Sequence, residues 1–378
     1  MEILDSPFGQ FQLSRYPKRA KETLRAWDAA DEFILNQINE ENLLQNKESK
    51  VLIINDQFGA LSVALNHYSP VVVSDSWLAH TGIKANLLNN DLPEENAEIR
   101  NSLDYPVGKF DLILLKVPKS LAMLEDQLIS IRPLLSDNTR VIAGGMVKAI
   151  HTSTLKLFEK IIGPTKTSLA KKKARLIFPV CTNDGKEIVS PYPSGYTLEN
   201  TCHEIINHAG VFSRDSLDIG TRFFLQHLPD EDKYQRIIDL GCGNGVVGLM
   251  AAERNPSAEL TFVDESFMAV ASASENFNAA FANTRTGSFL ATDCLKGIEK
   301  NSADLILNNP PFHQQNVVGD FIALQMFREA KSVLKKGGEI WVIGNRHLGY
   351  HQRLKKLFGN CSTVASNKKF VILKAAKQ

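Results

Sequence analysis

The chain states one structural pattern twice, and that duplication restricts the fold more than any other feature of its 378 residues. "KVLIINDQFGALSVAL" in the first half and "QRIIDLGCGNGVVGLM" in the second each set an apolar strand before a turn and an apolar helical stretch. Farther on, "VVVSDSWLAHTGIKANL" answers "LTFVDESFMAVASASENF", "KFDLILLKVPKSLAML" answers "SADLILNNPPFHQQNV", and "TRVIAGG" answers "GEIWVIGN". Residue by residue, Asn55 pairs with Asp239, Asp75 with Asp264 and Asp111 with Asp304, at a separation that grows along the chain as short loop insertions would make it. Four blocks in one order, alternating strand with helix, predict two related α/β domains, each a parallel sheet with helices on both faces. Gly, Pro, Ser and Asn cluster in "TNDGKEIVSPYPSGY", residues 182–196, which divides the chain into domains 1–185 and 186–378.

Length agrees with two cores rather than one. Apolar residues at 43% and charged residues at 22% exclude neither domain from being an ordinary globular one. The net charge of +1 gives no global sign of nucleic acid or membrane, so a nucleic-acid partner has to be met by a local patch. Cys181, Cys202, Cys242, Cys294 and Cys361 form no CxxC pair, which fits a reducing compartment and opposes a disulfide framework or a zinc ribbon. "MEILDSPFGQFQLSRYPKR" has no apolar signal region and no run approaches about 18 apolar residues, so a cytoplasmic location without membrane association is expected.

In a parallel sheet the chemistry gathers outside the carboxyl ends of the strands. At "DLGCGNGVVG" a strand runs out at Leu240 into Gly241, Gly243 and Gly245, residues that permit positive φ and close ligand approach. Gly243, Gly245 and Gly248, with Asp264 beyond them, meet the G-x-G-x-x-G spacing, so a dinucleotide is one permitted ligand. Asp239 points elsewhere. A carboxylate just before the first glycine would oppose a pyrophosphate, whereas it suits an ammonium and a sulfonium, the charges of S-adenosyl-L-methionine. Asp264 is placed to accept from both vicinal hydroxyls of a ribose through charge-assisted bonds. Its plainer role is to cap the next helix, which Ser266 is also placed to do. Asp293, in "SFLATDCL", suits an adenine amine, and a helix cap explains it equally well.

"DLILNNPPFHQQ" breaks a rule of sheet building. The apolar run Leu305–Leu307 reads as a buried strand that must stop at Asn309, because proline donates nothing to a ladder and restricts the residue before it. Asn309 offers an amide oxygen, Pro310 a carbonyl on stiff backbone, and Phe312 a flat face on which base stacking is worth about 1–3 kcal/mol. Together they read as a clamp for a planar amine. Methyl transfer to such an amine depends on orientation and on an acceptor for its hydrogens. A proline-capped turn with a buried phenylalanine is the bland alternative. In the first half, "INDQFGAL" keeps one glycine of the three and "KVPKSL" stands in place of the clamp. The first domain is therefore expected to hold or recognise substrate and neither to bind the donor well nor to catalyse.

These segments, with "AWDAADEFIL", "HTSTLKLFEKIIGPT", "NHAGVFSRDSLDIGTRFFLQHLP" and "GNRHLGYHQRLKKLFGNCSTVASNKKFVILKA", resemble the bacterial ribosomal RNA guanine-N2-methyltransferases of the RsmC/RlmG type over essentially the whole chain. The likeness is greatest on the large-subunit side of that family. It implies two tandem Rossmann-like class I methyltransferase domains, the first degenerate. It also implies S-adenosyl-L-methionine-dependent methylation of the exocyclic N2 amine of one guanine in 23S rRNA. It carries donor binding onto Asp239, Gly241, Gly243 and Asp264, and the clamp onto Asn309 to Phe312. A guanine of 16S rRNA, adenine in DNA and glutamine in protein present the same planar amine and stay open as substrates. A nicotinamide-dependent dehydrogenase and a non-enzymatic RNA-binding factor are the rivals from other classes.

"KTSLAKKKARLIF", with Lys166, Lys171, Lys172, Lys173 and Arg175, is one candidate phosphate contact, and Arg346, His347, Arg353, Lys355 and Lys356 are another. A solvated surface face explains such runs as well. His347 with His351, and Cys202, His203 and His208, supply no four-ligand set at metal spacings, so no metal is expected. Cys242 fits the glycine turn as a small residue, and thiolate chemistry there would need a lowered pKa. No protein partner is predicted.

Overall fold

The protein, a computed structural model, is described over residues 2–18, 22–182, 188–230, 233–282, 284–311 and 317–378. It divides into two compact units, Met1–Tyr192 and Pro193–Gln378. The first runs β1 (Glu2–Ser6), β2 (Gly9–Leu13), α1 (Ala29–Glu40), β3 (Val51–Ile54), α2 (Ala60–Ala64), β4 (Val71–Ser74), α3 (Trp77–Leu88), β5 (Glu98–Asn101), β6 (Leu112–Lys116), α4 (Leu121–Ile131), β7 (Arg140–Met146), α5 (Thr152–Ile161), β8 (Thr165–Thr167) and β9 (Ala174–Pro179). The second runs β10 (Ser194–Thr197), β11 (Glu204–Asn207), α6 (Ile219–Leu225), β12 (Arg236–Leu240), α7 (Val246–Arg254), β13 (Glu259–Asp264), α8 (Phe267–Ala280), β14 (Gly287–Ala291), β15 (Ala303–Asn308), α9 (Val317–Val333), β16 (Leu334–Asn345), α10 (Tyr350–Phe358), β17 (Ser362–Ser366) and β18 (Phe370–Ala376).

Each unit is built on a seven-stranded sheet of the same order, β5-β4-β3-β6-β7-β9-β8 in the first and β14-β13-β12-β15-β16-β18-β17 in the second. The apolar runs fill both faces of these sheets: all four residues of β3 and Leu305, Ile306 and Leu307 of β15 are buried, as strands covered on two sides require. The sheets are not wholly parallel, as the repeat alone predicts. β18 runs antiparallel to β16 and to β17, and β9 antiparallel to β7 and β8. β17 and β18, and likewise β8 and β9, are joined by turns too short for the crossover of about a dozen residues that a parallel pair needs.

Backbone geometry corrects two of the pairings read from sequence. Gly241 and Asn55 both take positive φ, 73° and 66°, and donate N–H to Val263 O and Val73 O, the equivalent carbonyls of β13 and β4. Asn55 therefore stands where Gly241 does, a place asparagine tolerates better than most side chains. Asp264 ends β13 two residues before the N-cap Ser266, as Ser74 ends β4 two residues before the N-cap Ser76. Ser74, not Asp75, is the counterpart of Asp264. Asp75 falls opposite Glu265, the acidic residue next to Asp264. Asp111 and Asp304 do correspond: each takes a backbone N–H at the start of the neighbouring strand, from Lys50 and from Gln235 and Arg236.

The duplication also reaches farther than four blocks. A hairpin opens each unit, β1–β2 and β10–β11, and a side-chain amide ties it down in both. Asn86 donates to Ser14 O and Phe58 O; Asn276 donates to Ile206 O and Asn244 O. The helices α1 and α6 are both N-capped by aspartate, Asp28 and Asp218. Among the described residues no helix is long and apolar enough to cross a membrane.

Candidate active site

Register brings the flagged residues of the second unit to one edge. Leu240 of β12 lies beside Val263 of β13 and Asn308 of β15, and Asp264 beside Ala291 of β14. Gly241, Asp264 and Asn309 thus leave three neighbouring strands at the same level, with Asp293 two residues past the fourth.

The turn after β12 is shaped by backbone of positive φ, which glycine takes without strain. Gly241, Gly243 and Gly245 have φ of 73°, 53° and 77°. A Cβ on Gly245 would lie 2.7 Å from that of Ala273, whereas one on Gly243 would meet nothing within 4 Å. The backbone at Gly243 is therefore open to an approaching molecule. Beneath it, a Cβ on Gly248 would fall 2.3 Å from the Phe262 ring, so α7 presses onto the sheet, and Phe262 in turn stacks on Phe289 at 4.9 Å.

Two carboxylates hold this turn. Asp264 accepts the Gly243 N–H at 3.0 Å and the Ser266 N–H at 3.1 Å, each through a different oxygen. A carboxylate offers about four acceptor sites, so the backbone N–H groups around Asp264 do not use them all. Burial raises its pKa in spite of those bonds. Capping of α8 falls to Ser266, whose Oγ accepts from Ala269 N–H at 3.1 Å. Asp239, only 2% exposed, accepts the Gly248 N–H at 2.8 Å, and burial pushes its carboxyl up to about 8. It braces the turn from below. Asp293 is buried and accepts from Gln325 Nε2 at 3.0 Å; residues 294–311 hold no helix, so Asp293 caps none. The Cys242 thiol is buried, which pushes its pKa well up and leaves it without thiolate character.

Asn308 and Asn309 end β15 differently. Asn308 is wholly buried and donates to Leu240 O at 2.7 Å, locking two strand ends together. Asn309 donates from Nδ2 to Thr221 Oγ1 at 3.0 Å, and Thr221 leans on Asp218 Oδ2 through its N–H at 2.9 Å and its hydroxyl at 3.4 Å. The Asn309 Oδ1 is buried and has no hydrogen-bond partner among the described residues. Asn66, Asn255, Asn308 and Asn345 have an Oδ1 in that condition too, but of these asparagines only Asn309 is partly exposed. An orphaned buried acceptor costs about 1–3 kcal/mol, and a donor brought by a ligand would recover it. Pro310 is buried beside it, and Phe312 lies outside the described residues.

Thr221 escapes a reading of the sequence because it meets Asn309 across 88 residues. Two signals bear on it: an aspartate with a threonine three residues on, which is a helix-start pattern, and the likeness of "WDAADEFIL" to "LDIGTRFFL".

The basic runs fare unevenly. Lys172 pairs with Glu32 at 2.8 Å, the Lys171 ammonium lies over the Phe33 ring, and Arg175 is half-buried. Arg346 and His347 follow β16 at the edge where Asn309 sits, and Arg346 N–H donates to Lys369 O. Lys355 and Lys356 lie in the last turn of α10, away from that edge. His203 and His208 are bonded to Glu253 and Glu275.

Comparison with known proteins places this geometry. Residues 1–184 match the family model described as RLMG N-terminal domain, and residues 203–374 the one described as Methyltransferase small domain. The ribosomal RNA large subunit methyltransferase G of Streptomyces griseus is 48% identical over 98% of this chain and 98% of its own length. That of Pseudomonas putida strain GB-1 is 48% identical over the full length of both. Among solved structures, the T. thermophilus 16S rRNA N2 G1207 methyltransferase, in complex with AdoMet and guanosine, shares the fold with a TM-score of 0.74 at 18% identity, over 100% of this chain and 98% of its own. With two intact sheets, an open glycine turn and relatives matched from end to end, the chain belongs to the ribosomal RNA large subunit methyltransferase G family.

Proposed function

We propose that this enzyme transfers the methyl group of S-adenosyl-L-methionine to the exocyclic N2 amine of a guanine in large-subunit (23S) rRNA. The observation that carries the reading is the buried Oδ1 of Asn309 at the carboxyl edge, which has no partner among the described residues and is an acceptor waiting for an N–H. Bound donor supplies a methyl group already activated on sulfur, so the chain need only position and accept hydrogen bonds. The open backbone at Gly243 and the spare lone pairs of Asp264 fit a nucleoside with a ribose diol. Asp239 acts by bracing that turn, and Asp293 is the side chain we assign to the adenine amine. Asn309 Oδ1 and the Pro310 carbonyl receive the two amine hydrogens of guanine, turning its nitrogen lone pair out of conjugation, and Phe312 supplies the stacking face.

The first unit, residues 1–185 in this reading, holds RNA and does no chemistry. Relatives named for the large ribosomal subunit favour 23S over 16S rRNA. The cytoplasm, where rRNA and reduced thiols coexist, is the compartment we assign.

The test is incubation with labelled donor and separated 23S rRNA, 16S rRNA, DNA and protein. Label recovered as N2-methylguanine from 23S rRNA is expected. Label confined to 16S rRNA, DNA or protein contradicts the reading.

A further inference from the structure

We infer that Thr221 is a positioning residue for the transfer: it relays Asp218 to Asn309 and fixes which end of the Asn309 amide faces the acceptor nitrogen. The inference rests on the function proposed above. A half-turn of an asparagine amide exchanges an acceptor for a donor at almost no change in shape, so packing alone does not choose between them. At Asn309 the choice decides the chemistry. Oδ1 on the side away from Thr221 receives an amine N–H, whereas Nδ2 on that side opposes N–H to N–H.

Thr221 makes that choice through its one hydroxyl hydrogen. Its Oγ1 lies 3.4 Å from Asp218 Oδ2, and a carboxylate can only accept. With the hydrogen given to Asp218, the hydroxyl turns lone pairs toward Asn309 and takes Nδ2 at 3.0 Å. A reversed amide would set Oδ1 against those lone pairs. Asp218 is itself fixed, because it caps α6 by accepting the Thr221 N–H at 2.9 Å.

The first unit uses the same juncture for another end. Lys116 stands at the place of Asn309, and Asp31, third residue of α1, at the place of Thr221, third residue of α6. Lys116 Nζ lies 2.6 Å from Asp31 and 2.8 Å from Asp28. An ammonium so held offers no acceptor. In each unit the third residue of this helix sets what the strand-end side chain can present.

Thr221→Val keeps the shape and loses the hydroxyl; Thr221→Ser keeps the hydroxyl. With 23S rRNA and S-adenosyl-L-methionine, kcat of Thr221→Val should fall about a hundredfold, the scale of a mispositioned reacting group. RNA KM and donor affinity should stay near wild type, and Thr221→Ser should recover most of kcat. Combined with Asn309→Ala, Thr221→Val should cost nothing further, since it acts through that amide. Wild-type kcat in Thr221→Val, equal loss in Thr221→Ser, or an added loss on top of Asn309→Ala would each overturn the inference. Full transfer by Asn309→Ala alone would instead overturn the proposed function beneath it.

Discussion

Lys116 and Asn309 close equivalent strands of the two sheets, and one is tied into an ion pair where the other keeps a buried acceptor with no partner among the described residues. A single position has thus been put to opposite uses. In the first unit it cements α1 to the sheet; in the second it faces the edge where the glycine turn opens.

The cement can be measured. Lys116→Ala leaves Asp31 buried beside Asp28, and breaking a buried pair in this way costs about 3–5 kcal/mol. Urea unfolding should show a loss of that order, while folded variant binds donor and transfers methyl normally. Stability equal to wild type, or lost donor affinity, would contradict this role.

Gly243 and Gly245 should respond oppositely to alanine. At Gly243 the added methyl enters open space at a left-handed φ, so Gly243→Ala should cost about 1–2 kcal/mol of stability and more than tenfold in donor affinity. At Gly245 the methyl strikes Ala273, so Gly245→Ala should yield little folded protein. Calorimetric titration with S-adenosyl-L-methionine, beside thermal melts, separates the two; a stable Gly245→Ala with a misfolded Gly243→Ala would refute the assignment.

The glycines and strand-end acids were legible because their constraint is local: a positive φ or a carboxylate at the end of a strand is written in neighbouring residues. Asn309 was legible because the prolines after it forbid an ordinary strand. What could not be read is whatever tertiary contact decides. That Asp239 accepts the Gly248 N–H beneath the turn is such a contact, since only the packing of α7 onto β12 brings the two together. The antiparallel return of β18 was hidden for a similar reason, being dictated by a short turn beyond the last of the four matched blocks.

Asp239 gives the fold a pH dependence. Its ordinary value is 3.8, and burial raises it to about 8 in the folded chain. The folded state therefore binds the extra proton between those values, and the stability contribution falls as pH rises through that window. Asp239→Asn keeps an oxygen for Gly248 N–H and removes the titration. Its Tm advantage over wild type should widen between about pH 5 and pH 8, by ~5 °C or more. A gap that stays constant would rule the titration out.

Salt dependence distinguishes the basic clusters. Arg346→Ala with Lys369→Ala removes two charges beside the site edge and should reduce the slope of log Kd for RNA against log salt by about 1–2. Lys172→Ala should leave the slope unchanged, because Glu32 already neutralises that ammonium. The reverse pattern would move the RNA to the other cluster.

Asn309 is the residue we propose to accept the amine of the base being methylated. Single-turnover transfer of labelled methyl to 23S rRNA, comparing Asn309→Ala with wild type at saturating donor, tests it most directly. Wild-type donor affinity with transfer slowed by about a thousandfold is expected, as for loss of a group acting on the transition state. Undiminished transfer, or label on any guanine atom other than N2, would contradict it.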